Sequence, residues 1–327
     1  MIRFGVIGTN WITERFIDAA KELDDFSLTS VYSRTEEKAR EFAHKTGASF
    51  TFTSIEEMAK SNEIDAVYIA SPNSLHHDQA ILCMKHGIHV LCEKPLASNA
   101  AEVENMIKTA QEQKVVFMEA MKATLLPTFL NIKENVHKLG TVRRYVGNYC
   151  QYSSRYDAFK EGTVLNAFNP QFSNGALMDL GVYCLYPLVV LFGQPKSVKA
   201  EATMLSSGVD GQGSIILTYE DMEAVITYSK ITNSSLPSEI QGEEGNMVID
   251  EIHTPKKAHI YYRNGEQEDI SVEQNEKAMY AETKEFLTLI KEGRLESKVN
   301  SHENSLITAK VLTDIRKQIG LVFPADQ

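Results

Sequence analysis

Nowhere in the chain do lysine and arginine cluster, no apolar run is long enough to cross a bilayer, no two cysteines stand in a C-x-x-C pair, and the first strand-to-helix turn is short of glycine. Each shortage excludes something. Lys and Arg number 33 against 44 Asp and Glu, a formal net charge of -11, whereas nucleic acid or an anionic membrane requires a concentrated basic footprint. Neither is expected as a partner, and the acidity serves solubility. The longest apolar run, Tyr183 to Phe192, is interrupted by Pro187 and falls short of a membrane span. The opening MIRFGVIGT enters a strand without an apolar signal core. Cys92 and Cys184 lie in apolar runs, and with Cys83 and Cys150 they read as reduced thiols, not as disulfides or zinc ligands. No metal site is expected, and a cytoplasmic location is.

What is present reads as an α/β enzyme. A length of 327 residues with 43% hydrophobic content suits about two domains with their own cores. Strand-like runs at Ile2 to Ile7, Leu28 to Tyr32, Ala66 to Ile69, His89 to Cys92 and Val115 to Met118 alternate with helical patterns such as Thr35 to Thr46, Leu75 to His86 and Ala100 to Gln113. This alternation predicts βαβ units and an N-terminal doubly wound parallel sheet. Beyond Pro127 the pattern changes to a long strand at Val142 to Tyr152, a polar loop, a helix from about Gly175 to Leu191 and then successive strands. Turn signals at Glu220-Asp221, Gly242 to Gly245 and Asn264-Gly265 predict hairpins in a large open antiparallel sheet, so the second domain is α+β. Helical patterns at Asn275 to Glu292 and Ser301 to Ile319 close the chain. There are no repeats and no low-complexity linker. The expected division is 1–121 and 122–327, joined by a packed junction.

The first strand leads into Gly8-Thr9-Asn10-Trp11-Ile12-Thr13. A dinucleotide fold places glycine at the tight turn, at the closest approach to the pyrophosphate and at the helix–strand contact. Gly8 fits the first place; Asn10, which tolerates positive φ, and Thr13 stand at the other two. A generic strand-to-helix turn would read the same way. After the second strand come Ser33-Arg34, where an acidic residue would bind the ribose 2′-hydroxyl of NAD. A hydroxyl and a guanidinium suit a phosphate monoester, which favours NADP while leaving NAD possible. An arginine opening a solvated helix is the plainer alternative. The strand at Ala66 to Ile69 runs into Ser71-Pro72-Asn73-Ser74-Leu75-His76, where Ser74 can cap a helix whose first turn faces the crevice.

Two further segments carry the chemistry. HVLCEKPL ends an apolar strand in Glu93, Lys94 and Pro95, at the carboxyl edge where open α/β sheets bind ligands. In GALMDLGVYCL, Asp179 and Tyr183 stand four apart on one helical face, in surroundings where an unpaired carboxylate is costly. Oxidising an alcohol with nicotinamide needs a group to accept the hydroxyl proton. Tyrosine, with a pKa of about 10, serves if a lysine stabilises its phenolate, and Lys94 is the candidate.

Taken together, DAVYIASPNSLH, HVLCEKPLA, VFMEAM and GALMDLGVYCL resemble the family of glucose-fructose oxidoreductase, inositol dehydrogenase and MocA-like proteins over nearly the whole chain. The resemblance implies a Rossmann domain, a second domain with an open antiparallel sheet through which a homodimer or tetramer forms, and hydride transfer between NAD(P) and a sugar, polyol or cyclic diol. By the same resemblance Lys94 matches the catalytic lysine, Asp179 the helix aspartate that would hold it, and Tyr183 the acid/base position. Tyrosine there is similar to the glucose-fructose oxidoreductase and dihydrodiol dehydrogenase branch, which is often NADP-linked. The chain departs from that branch at Asn10 and Thr13, and at Lys122 to Pro127, where the branch often has tryptophan and arginine. The substrate pocket is therefore expected to differ, with Lys122, Arg155, Tyr156 and Asn169 as contacts. Two alternatives remain: a non-catalytic nucleotide-binding regulator, and a redox-assisted hydrolase or lyase. The run Ile215 to Ile231 alternates apolar residues that the second domain's helices are too few to cover, which supports oligomerisation.

Overall fold

A computed structural model describes all 327 residues as two compact units, Met1–Ala120 with Asn275–Ser305, and Met121–Gln274 with Leu306–Gln327. In chain order the helices are α1 (Trp11–Ala20), α2 (Glu36–Thr46), α3 (Ile55–Lys60), α4 (His76–Lys85), α5 (Ala100–Gln113), α6 (Pro127–Asn135), α7 (Tyr156–Lys160), α8 (Val182–Phe192), α9 (Tyr280–Glu292) and α10 (His302–Ile319).

The first unit is built on six parallel strands, β1 (Ile2–Ile7), β2 (Phe26–Tyr32), β3 (Phe50–Phe52), β4 (Ala66–Ile69), β5 (His89–Glu93) and β6 (Phe117–Ala120), in the order β3-β2-β1-β4-β5-β6. This is the doubly wound Rossmann order, which reverses between β1 and β4 and opens a crevice at their carboxyl ends. The central strands are covered on both faces, which is why β4 is buried at all four positions and reads as a continuous apolar run. Phe16 of α1 stacks on Tyr68 of β4 with ring centres 3.8 Å apart.

The first unit runs to Ala120 and also takes in Asn275–Ser305, a segment that the division at 1–121 and 122–327 assigns to the second domain. Helix α9 buries Phe286, Leu287 and Leu289, and Phe286 meets Phe4 of β1 edge-on at 6.0 Å. Lys277 pairs with Asp18 and Glu22, and Lys291 with Asp25, all on α1 or just after it. An amphipathic helix goes where its apolar stripe finds a complement, whatever its place in the chain.

The second unit carries eight strands, β7 (Val142–Cys150), β8 (Ser197–Met204), β9 (Asp210–Thr218), β10 (Glu223–Ser229), β11 (Ser238–Gly242), β12 (Gly245–Ile249), β13 (Ala258–Tyr262) and β14 (Gln267–Asp269). Their order is β14-β13-β12-β11-β7-β10-β9-β8. The three expected hairpins join β9 to β10, β11 to β12 and β13 to β14. The sheet is mixed and not purely antiparallel, because β7 and β10 run parallel. The chain between them is long enough to return to the starting end, as a parallel pair requires. One face is buried through Tyr145, Ile215, Leu217, Ala224, Ile226 and Tyr228, and the Tyr145 hydroxyl donates to the Cys184 carbonyl of α8 at 2.9 Å. The other face is open, with Ile216 49% exposed.

The stretch Pro170–Phe192 is longer than the apolar run read from sequence. By length and composition its 23 residues could cross a membrane, but 78% of its apolar window is buried inside the protein, as befits a core helix.

Candidate active site

At the end of β1, Gly8 has φ +109°, and a Cβ there would lie 2.6 Å from the Ala70 carbonyl oxygen beyond β4. Only glycine allows both the dihedral and the approach. Asn10 does not use the positive φ expected of it. Its backbone is extended at φ -104°, and it caps α1, accepting from the N–H groups of Ile12 and Thr13 while its side-chain amide donates to the Ala70 carbonyl at 2.8 Å. Asparagine thus ties the tail of β1 to that of β4 and starts the helix. Thr13 is fully buried at the packing position, and its hydroxyl has no partner. Trp11, the only tryptophan, is 55% exposed with the Arg15 guanidinium over its ring; Thr9 and Ile12 are half-buried. After β2, Ser33 is buried and Arg34 exposed without an ion pair. The glycine cradle, the N-terminus of α1 and an unpaired guanidinium together fit a dinucleotide bearing a 2′-phosphate.

The Lys94–Pro95 bond is cis, and Lys94 is half-buried where β5 ends. Glu93 accepts from the Tyr68 hydroxyl at 2.5 Å. His76, at the start of the helix expected to face the crevice and a candidate cofactor contact there, is fully buried, its ring nitrogens 3.1 Å from the Pro95 carbonyl and 2.9 Å from that of Ser71. Burial holds its imidazole below the ordinary range, opposed by the carbonyls of Ser71, Pro95 and Leu96 and reinforced by Lys94. It pins the Ser71-Pro72-Asn73 turn to the turn presenting Lys94. Beneath lies Glu119 of β6, whose carboxyl burial pushes up to about 7; the Ser305 hydroxyl, the Leu96 backbone and Lys94 oppose the rise and Glu93 adds to it. Glu119 was visible in VFMEAM but carried no chemical signal there.

In the second unit, Asp179 lies in a π turn, Leu177–Gly181, that leads into α8 and Tyr183. The expected helix therefore starts with a wider turn, a feature common at functional sites. Asp210 of β9 accepts from the Leu177 N–H at 2.7 Å and caps it; burial pushes the Asp210 carboxyl up to about 6. Asp179 accepts from Lys230 at 2.7 Å, a partner missed in the sequence. The signal was there: Lys230 follows Ala224, Ile226 and Tyr228 at spacing two, so it faces inward. Around Tyr183 stand Tyr149 at 5.7 Å, His253 at 6.2 Å and the Lys122 ammonium 5.9 Å from the ring centre. His253 stacks on Tyr149 at 4.0 Å, and burial, with Lys122, pushes its pKa down to about 4. Of the expected substrate contacts, Lys122 joins Tyr183. Tyr156 packs with Tyr152, Phe159 and Phe168, Asn169 caps a short turn through Gln171 N–H, and Arg155 is exposed on the loop.

Residues 2–121 match the model of an oxidoreductase family with an NAD-binding Rossmann fold, GFO_IDH_MocA, and residues 131–248 match the GFO/IDH/MocA C-terminal domain. The chain belongs to the GFO/IDH/MocA oxidoreductase family. It is 59% identical, over the full length of both, to scyllo-inositol 2-dehydrogenase (NADP(+)) IolU of Bacillus subtilis (strain 168). It is 27% identical to trans-1,2-dihydrobenzene-1,2-diol dehydrogenase of Xenopus tropicalis, over 98% of this chain and 99% of that one. A solved levoglucosan dehydrogenase with NADH and levoglucosan superposes with a TM-score of 0.88 at 18% identity, covering 98% of this chain and 97% of the other, which shows the shared fold. This member of the family is an NAD(P)-dependent oxidoreductase acting on CH–OH groups, and the non-catalytic alternative falls away.

Proposed function

We propose that the chain is an NADP-linked dehydrogenase of a cyclic polyol of the inositol class, converting one ring C–OH to a ketone. The observation that carries this reading is the full-length 59% identity to an NADP-dependent scyllo-inositol 2-dehydrogenase. The unpaired Arg34 supports the choice of NADP. The bound nicotinamide supplies the hydride acceptor for the ring C–H. Tyr183 takes the hydroxyl proton, Lys94 orients the reacting oxygen, and Asp179 fixes the polar groups about it. Gly8, Thr9, Asn10, Trp11 and Ile12 would hold the pyrophosphate, Ser33 and Arg34 the 2′-phosphate, and Ser71, Pro72, Asn73 and Glu93 the nicotinamide half. Lys122, its ammonium 5.9 Å from the Tyr183 ring centre, adds a cationic donor for the hydroxyls of a polyhydroxy ring.

The test is steady-state oxidation of scyllo-inositol and other inositols, read as NADPH absorbance. The expected result is stoichiometric NADPH with a much higher kcat/KM for NADP than for NAD. Product without accumulating NADPH would instead favour a redox-assisted hydrolase or lyase, and no turnover of any inositol would overturn the substrate class.

We further infer a homodimer or dimer of dimers built on the open face of the eight-stranded sheet. Ile216, Val225 and Val146 sit side by side in register there, on a face no helix of the second unit covers. Light scattering at micromolar concentration should give at least twice the 36.6 kDa chain mass; a monomer would overturn it. The four free cysteines support a cytoplasmic location.

A further inference from the structure

Lys230 continues the inward phase of β10, so its ammonium enters the apolar side of the sheet, where a lone charge is costly. Its side chain is 3% exposed, while that of its partner Asp179 is 36% exposed. Three groups receive the cation: Asp179 Oδ2 at 2.7 Å, the Ala167 carbonyl at 3.3 Å and the face of Phe168, 5.2 Å from the ring centre. Its main chain is held as firmly, the N–H donating to the Gly211 carbonyl at 2.9 Å and the carbonyl accepting from the Ser153 N–H at 2.8 Å. One residue therefore joins β9, both ends of the polar loop at 153–168, and the π turn. Asp210, capping that turn, acts on the same cation through space.

We propose that Lys230 is a positioning residue for hydride transfer: it holds the Asp179 carboxylate in one orientation and ties the Ala167–Phe168 end of the polar loop to it. This rests on the reading of Asp179 given above. A buried cation with an outward-facing anion presets an acceptor without leaving the acceptor to find its own geometry, and a misplacement of about 1 Å can cost about 10²-fold in rate. A purely structural pair would alter melting temperature alone.

The experiment compares Lys230→Met, Lys230→Arg, Asp179→Asn and the double variant Asp179→Asn/Lys230→Met with the parent. NADP affinity is read from Trp11 fluorescence, and hydride transfer in single turnover. Lys230→Met should transfer hydride about 10²-fold more slowly with NADP affinity within about twofold. Lys230→Arg should recover most of the loss, and the double variant should be no slower than Asp179→Asn, because Lys230 acts through that carboxylate. If Lys230→Met does not fold, Lys230→Gln, which keeps a donor and loses the charge, replaces it with a loss of about tenfold expected. A parent-like rate in the folded Lys230 variant with a slow Asp179→Asn overturns this inference alone. A parent-like rate in Asp179→Asn overturns it together with the reading on which it rests.

Discussion

Tyr183→Phe should keep the fold and the NADP affinity yet transfer hydride roughly 10²- to 10⁴-fold more slowly, the loss expected when acid/base help is removed. The ring itself is well supported without its hydroxyl. It meets Tyr149 and His253 edge-on and has Lys122 against its face, contacts that phenylalanine retains. Lys94→Ala should cost at least as much, since it removes the cation presented at the end of β5. The double variant should be far less than multiplicatively worse, because groups serving one proton transfer are not additive. Single-turnover hydride transfer separates this chemistry from cofactor release. Full activity in Tyr183→Phe would move the proton acceptor elsewhere, and strictly multiplicative losses would mean that the two residues act independently. His76 is not the replacement, with its ring buried and held between two carbonyls; Lys122 would be.

Arg34→Ala should weaken NADP binding by about 10- to 150-fold, the equivalent of roughly 1.5–3 kcal/mol for a hydrogen bond to a charged group, and change NAD binding by no more than about twofold. Arg34 is exposed just past β2, and the carboxylate two residues on, Glu36, is engaged by Arg40 one turn along α2. A 2′-phosphate would therefore meet an unspent cation, whereas the 2′-hydroxyl of NAD asks little of it. Titrating both cofactors against Trp11 fluorescence at fixed ionic strength, because exposed charges are screened by salt, gives the four dissociation constants needed. Equal losses for NADP and NAD would leave Arg34 without this role.

Local pattern was enough for the doubly wound unit. Apolar strands such as AVYI, capped helices and the glycine at position 8 each carry their own short-range reason, and short connections leave a parallel sheet little choice of order. The carboxyl-edge placement of Lys94 and the four-residue spacing of Asp179 and Tyr183 were legible for the same reason. Three things were decided only in three dimensions. Helix α9 returned to the first unit because its Phe286 face fits against Phe4, a match between residues nearly the whole chain apart. His76, a polar residue at a helix start, became a buried clamp because the Ser71 and Pro95 turns converge on it. Asp179 acquired Lys230, 51 residues away, because the period of two in β10 sets the direction of a side chain but not what it meets. Periodicity along a chain determines which face a residue takes; which partner waits on that face is a matter of packing between segments that the sequence does not place side by side.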